Sequence, residues 1–235
     1  MNNFFRFPHT PHLAWLGKDQ PRNDKVLDPK NVEALLSGSV VVEEKVDGAN
    51  LGISFTGSGE LWVQNRGAYL ERPFKGQFSR LNQWMMERYV LFQEHLQAHL
   101  ILFGEWCAAR HSLDYKALPD WLVLFDVYDR DAQKFWSVER RNKLAETLQL
   151  PVVPIVYQGK ATVAELERLV VQLKSRYRDG NAEGIVVRKD SAQWCQARAK
   201  LVHPDFTQNI EEHWRSRAID WNAREPGSPY LHPTA

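Results

Sequence analysis

Lys45 lies between Glu43, Glu44 and Asp47, in the stretch VVEEKVDGANLGISF that covers residues 41–55. Successive side chains of a strand point to opposite faces, so Glu43, Lys45 and Asp47 share one face, and Val42, Glu44 and Val46 take the other. One explanation is a solvated strand face laced with charge pairs. The other is a pocket. Apolar flanks place the amine at the inner region of a sheet, and Gly48 permits close approach of the backbone to a ligand. Asn50 follows at a spacing that can turn its amide back toward the same pocket. An amine, carboxylates and an amide gathered in this way would meet a ligand with charge and hydrogen bonds.

The elements that must position this group can be read from pattern. DPKNVEALLSG (28–38) predicts a short helix with Asp28 as N-cap, Pro29 at the first position and Gly38 as stop. SVVVEEKVD is a strand, and NLGISFTGSGELWVQNRG predicts a hairpin turning at TGSGE. Residues 78–100 have helical periodicity, with Leu81, Trp84, Met85, Tyr89, Phe92 and Leu96 along one stripe. His95 and His99 fall four apart on that helix and are read as its surface. LILFGEW and WLVLFDVYD (121–129) are apolar strands, with KFWSV folding back onto the second. SVERRNKLAETLQL and TVAELERLVVQLKSRY are amphipathic helices, and AEGIVVRKD with ARAKLVHPDF makes a further strand pair. Hairpins with segregated helices predict an α+β fold of mostly antiparallel sheets flanked by helices. Residues 1–30, with Phe4, Phe5, Phe7 and Trp15, read as an irregular arm docked by its aromatics. His9 and His12, beside Pro8 and Pro11, read as a packed turn. Residues 31–205 form the main domain, and 206–235 a short helix and tail from Thr207.

Composition narrows the class. The 235 residues are 43% hydrophobic and 25% charged, with a net charge of +1, which excludes a strongly basic coat but not a local basic groove. Cys107 and Cys195 are too few for a disulfide framework and have no neighbour at metal-ligand spacing. The chain shows no membrane-spanning run and no secretory signal, so a soluble cytoplasmic protein is expected.

KVDGAN (45–50) matches the lysine-x-aspartate-glycine-x-asparagine signature of the covalent nucleotidyltransferases. Five further segments follow in that family's order: NRG (65–67), FGEW (103–106), LFDVY (124–128), EGIVVRK (183–189) and ARAKL (197–201). The chain therefore resembles the ATP-dependent RNA ligases, in particular the branch of the phage double-strand RNA ligase and the kinetoplastid editing ligases. The resemblance implies an ATP-grasp-like nucleotidyltransferase domain that uses ATP and Mg²⁺. It implies that Lys45 attacks the α-phosphorus of ATP and holds AMP. Glu105 would bind the ribose hydroxyls, Phe125 would stack on adenine, and Glu183 would hold a metal through water. Arg66, Arg198 and Lys200 would contact phosphate, with Lys200 also catalytic. Asn50 would orient the reacting phosphate, and Glu44 would meet the adenine edge. A lysine nucleophile must be neutral, so desolvation or nearby cations have to lower its pKa from about 10.4.

Each residue also has a plain structural explanation. Glu105 could pair with Arg110, Phe125 could be core, Glu183 could pair with Arg188, Arg66 could be a turn residue, and Lys200 a surface lysine. Arg198 stands where the family usually has lysine; it keeps the charge but cannot donate a proton. The expected activity is sealing of RNA with 5′-phosphate and 3′-hydroxyl ends. Its rivals are an RNA end-binding accessory, a partner-dependent adenylyltransferase and a DNA nick ligase. The stretch after Lys200 is too short for an OB-fold. Closure over the substrate is thereby left to the arm, to the tail helix or to an RNA-repair protein partner.

Overall fold

The computed structural model describes residues 4–18, 26–207 and 219–230. Two antiparallel sheets carry the chain. The first has the order β7-β1-β8-β9, built from β1 (Val40–Lys45), β7 (Ile155–Gly159), β8 (Gly184–Asp190) and β9 (Cys195–Val202). The second has the order β3-β2-β4-β5-β6, built from β2 (Ala49–Phe55), β3 (Leu61–Gln64), β4 (Leu100–Trp106), β5 (Leu122–Asp129) and β6 (Lys134–Phe135). The expected α+β class with antiparallel sheets is what the chain adopts.

β1 and β2 are neighbours in sequence but belong to different sheets, and Val46-Asp47-Gly48 carries the chain across. The crossing is tight, because a Cβ on Gly48 would come within 2.6 Å of the Trp106 carbonyl oxygen. The close backbone approach expected at Gly48 is thus made to the protein's own β4. Asp47 secures the loop on the other side. Its carboxylate accepts from the Ser112 amide at 2.7 Å and the Leu113 amide at 2.9 Å, and its own amide donates to the Tyr115 hydroxyl at 2.8 Å.

Helix α1 (Pro29–Leu36) starts as its sequence predicts, with the Asp28 carboxylate accepting from the Asn31 amide at 2.8 Å. It stops at Ser37, one residue before Gly38. Helices α4 (Val138–Thr147) and α5 (Val163–Gln172) follow, α5 opened by a capping box between Thr162 and Glu165. The single helix expected over 78–100 is instead broken into a 3₁₀ turn (Gly76–Phe78), α2 (Leu81–Met86) and α3 (Tyr89–His95). The break falls at Arg88, whose buried guanidinium donates to Asp120 at 2.6 Å and to the Tyr230 carbonyl at 2.9 Å. A buried charge must be paired, and that demand overrides helical periodicity here. His95 ends α3 and His99 lies beyond it, so the two do not share a helix face. A short α6 (Pro204–Thr207) closes the main part; the rest of the expected tail helix lies outside the described residues.

One face of the first sheet is apolar. Val40, Val42, Ile185, Val187, Ala199 and Leu201 pack against Leu35 of α1 and Leu166 and Val170 of α5. Full burial of such side chains contributes roughly 2 kcal/mol each. In the second sheet, Leu51, Ile53, Leu102 and Leu124 join Leu81, Trp84 and Phe92 from α2 and α3 in the main core. The opposite face of that sheet, with Ile101, Phe103 and Tyr128, is covered by Phe5 and Phe7 of the N-terminal arm. The Phe5 ring stacks on Tyr128 at 3.6 Å between centroids. The arm is docked by aromatics, as its composition predicts.

Candidate active site

The second face of the first sheet carries charge. Register fixes which residues meet there: Lys45 faces Gly184, Glu43 faces Val186, Val186 faces Lys200, and Arg188 faces Arg198. Period two then puts Glu43, Lys45, Arg188, Arg198 and Lys200 on one surface, opposite the valine face. This surface lines a cavity of about 360 Å³, within the range of small-molecule sites. Asn50 and Glu105 of the second sheet, Arg66, Phe125 and Asp126 complete it, together with Phe7 and Thr10 of the arm. The cleft thus lies where the two sheets and the arm meet.

Lys45 and Glu183 are paired at the mouth of β8. The Lys45 ammonium donates to both Glu183 carboxylate oxygens at 2.6 Å. Glu183 does not pair with Arg188, which is held by Asp126 at 2.8 Å and lies 3.9 Å from Glu43. Burial pulls the Lys45 ammonium toward the neutral form. The carboxylates of Glu183, Glu105 and Asp47 outweigh that pull and hold it above its ordinary value. The solvated-face explanation of the motif does not apply, because Glu43 and Glu44 are buried and Lys45 is only partly exposed.

Glu105 lies directly opposite Asn50 on adjacent strands. Burial pushes its carboxyl up to about 8, with Lys45 opposing the shift and Glu183 and Asp47 adding to it. A carboxyl raised from an ordinary 4.5 stabilises the fold below that ordinary value and loses the contribution as pH rises through about 8. Over pH 5–8 the melting temperature of the native protein is therefore expected to fall relative to that of Glu105→Gln, by about 2–4 °C per kcal/mol in a domain of this size. Parallel melting curves of the two proteins over this range would reject the buried, protonated Glu105.

Phe125 owes its position to a β-bulge. β4 and β5 pair Phe103 with Asp126 and then Gly104 with Leu124, so Phe125 has no partner in the ladder. Bulges re-aim side chains, and this one turns Phe125 to the cavity wall while its ring still packs on the core. Asp126 next to it was not legible as a site residue, because the sequence points only to the aromatic. Its carboxylate holds Arg188 on one oxygen and Arg198 on the other. Arg198 also lies 4.6 Å from the Phe7 ring centroid and 4.1 Å from that of Phe135.

The arm reaches the site at two places. Arg66 donates to the Pro8 carbonyl at 3.3 Å. On the other side, the Lys200 amide donates to the Pro11 carbonyl, and the Leu13 amide to the Lys200 carbonyl, each at 2.8 Å. His12 is buried in this seam, as a packed turn requires. Glu44 also lines the cavity, and its carboxylate accepts from the Ser175 hydroxyl at 2.6 Å and the Arg176 amide at 3.0 Å, one bond on each oxygen.

A divalent cation fits the donors present. Among the described residues no three His, Cys, Asp or Glu side chains gather in a preformed cage. Glu183 and Glu105 nonetheless flank Lys45, and Mg²⁺ commonly takes one or two carboxylates and completes its shell with water and substrate phosphate. Asn50 Oδ1 is buried and has no hydrogen-bond partner among the described residues, which leaves an acceptor facing the same space.

The site is thus a charged cavity between two antiparallel sheets, with Lys45 on its wall. The model of the RNA ligase family matches residues 38–202, and the chain belongs to that family. Among solved structures, the fold is similar to Naegleria gruberi RNA ligase with PPi, at 16% identity and a TM-score of 0.61, covering 78% of this chain and 55% of that one. A variant of the same ligase with ATP and Mn matches at 16% identity and a TM-score of 0.60, over 74% and 52% of the two chains. An archaeal ATP-dependent RNA ligase matches at 23% identity and a TM-score of 0.59, over 84% and 48%. The chain spans about half the length of these structures. No curated protein sequence matches it.

Proposed function

We propose that the protein is an ATP-dependent RNA ligase acting by three nucleotidyl transfers. The Lys45 amine attacks the α-phosphorus of ATP, an N–P bond forms, and pyrophosphate leaves. The AMP group then passes from Lys45 to the 5′-phosphate of an RNA end. A 3′-hydroxyl attacks that activated phosphate, closing the phosphodiester and releasing AMP. The observation that carries this reading is the Lys45 ammonium, bonded to Glu183 at 2.6 Å on the charged wall of a nucleotide-sized cavity.

The cavity lining supports the other roles. Phe125 forms an aromatic wall for adenine, and Glu105, protonated at neutral pH, offers a hydrogen bond to a ribose hydroxyl. Lys200 and Arg66 supply positive charge to the phosphates, and Asn50 orients the reacting phosphate with its amide. Arg198 reaches the cavity with its charge already matched by Asp126, which favours holding the wall in place over direct phosphate contact. Bound Mg²⁺ would neutralise charge on the triphosphate and the leaving pyrophosphate. Glu183, beside Lys45, would hold it through water.

Among the described residues no helix is long and apolar enough to cross a membrane. The reading is tested by incubating the purified protein with ATP labelled at the α-phosphorus and Mg²⁺, then adding 5′-phosphorylated RNA. Covalent label followed by joined RNA is the expected result. Label without joining would leave sealing to a partner protein, and neither would refute the assignment. DNA nicks and GTP run in parallel decide the substrate class.

A further inference from the structure

Away from the cavity, a second group of arginines and tryptophans has no part in the chemistry above. The 219–230 segment is clamped onto residues 107–118. Asn222 donates to the Cys107 carbonyl at 2.8 Å and accepts from the Tyr115 amide at 2.8 Å, and the Arg110 amide donates to the Asp220 carbonyl at 2.8 Å. This clamp brings Trp221 and Arg224 to Arg80 and Trp121. The Arg80 guanidinium lies 4.1 Å from the Trp221 ring centroid and 5.0 Å from that of Trp121, and Arg224 lies 4.8 Å from the Trp121 centroid. Arg80, Gln83, Trp121 and Arg224 line a cavity of about 230 Å³.

Glu87 also lines this cavity, 3.3 Å from the Arg88 guanidinium, and the charges there lean positive. Asp120 beneath is fully buried and already bonded to Arg88 at 2.6 Å, while Arg224 stands off at 3.8 Å. Arg80 has no carboxylate within ion-pair distance among the described residues; its contacts are the two indoles. Burial, and then the Arg224 charge, weakens Arg80's hold on its proton. Two guanidiniums that repel each other across a small hollow favour an anion between them. Trp221 remains 39% exposed, a large aromatic face left to solvent beside that hollow. A phosphate next to a base is the chemistry that fits both features, since guanidinium forks take phosphate and indole faces stack on bases without regard to sequence.

The cluster also continues from the reaction centre. Trp106, next to Glu105, donates its indole N–H to the Gln77 carbonyl at 2.8 Å, three residues before Arg80. The Cys107 amide donates to the Trp121 carbonyl at 2.7 Å.

We propose that Arg80, Arg224 and Trp221 form an RNA-strand subsite, in which the two guanidiniums hold a backbone phosphate and the indole stacks a base. This rests on the RNA ligase reading, so the experiment measures both. Binding of the protein to a 5′-phosphorylated 12-nucleotide RNA is followed by fluorescence anisotropy at several salt concentrations, with label transfer from ATP as an independent measure. The Arg80→Gln/Arg224→Gln double variant is expected to weaken RNA binding about tenfold at low salt, and to flatten the slope of log K against log salt by about one to two, in keeping with lost phosphate contacts. Trp221→Ala is expected to weaken binding by about fivefold or more through lost stacking. Label transfer from ATP should persist in all of them.

Photo-crosslinking of wild-type protein to RNA bearing 4-thiouridine needs no variant and guards against one that fails to fold. Crosslinks should map to the peptide that contains Trp221. Unchanged RNA affinity in the variants, or crosslinks that bypass residues 219–230, would overturn the subsite while leaving the ligase reading intact. If a phosphorylated peptide occupied the cluster and RNA did not, the partner would be a protein and the inference would fail. Wild-type protein that neither labels with ATP nor binds RNA would remove both.

Discussion

Lys45→Ala is expected to reduce label transfer from ATP to background, and Lys45→Arg to do the same. Alanine removes the nucleophile. Arginine preserves the charge opposite Glu183, but its guanidinium stays protonated and cannot attack phosphorus. The pair of variants therefore separates a structural salt bridge from covalent chemistry. If Lys45 served only to neutralise Glu183, arginine would restore function. The same amine predicts a pH profile. In the free protein, the Glu183 carboxylate, with Asp47, holds the ammonium above its ordinary value despite burial, and Glu105 adds its charge as it ionises at about 8, so little of the amine is neutral at pH 7. Single-turnover labelling should then rise with pH by about tenfold per unit until it levels, and the levelling point reads the amine's pKa in the nucleotide complex. A rate flat from pH 6 to 9 would mean that deprotonation of Lys45 does not precede the bond.

The lysine motif was legible because its residue types break the rules of their element. A strand that buries Glu43 and Glu44 next to Lys45 has to pair them, and local sequence already signals that demand. The cap at Asp28 and Pro29 was equally local. Pairing partners were not. Arg141 reaches Glu43 at 2.6 Å and Ser175 reaches Glu44 at 2.6 Å, both from segments far along the chain. The same limit hid Asp126, whose two arginine partners come from β8 and β9. Over 78–100 the apolar stripe hides the break, because Arg88 acts as a breaker only through Asp120 beneath it. The bulge at Phe125 is a property of two strands in register, so no reading of one strand contains it. The sheet change between Lys45 and Asn50 is written in Gly48, but its cause is the Trp106 carbonyl that a Cβ would strike.

Glu183→Gln sets two roles of one carboxylate against each other. As a restraint, Glu183 keeps Lys45 protonated, since after the opposing pull of burial it is the largest charge acting on the amine. Removing it would lower the ammonium's pKa and, on that ground alone, speed the attack. As a metal holder, Glu183 supplies the charge that keeps the cation on the triphosphate, and its loss slows the same step. Glutamine keeps the shape and one acceptor but cannot offset a divalent charge. Losses of supporting groups around a bound metal cost about 10–100-fold in affinity or activity, whereas the gain from a freer amine is confined to pH below its pKa. The expected result is therefore a net fall in labelling of about 100-fold at pH 7, partly recovered at high Mg²⁺ concentration. Alongside it, modification of Lys45 by an acylating reagent in the absence of ATP should become faster, because the amine has lost its strongest partner. Tryptic mapping of the acylated lysine measures the second effect separately from the first. Faster labelling together with faster acylation would leave Glu183 as a restraint alone and move the metal to Glu105 and Asn50.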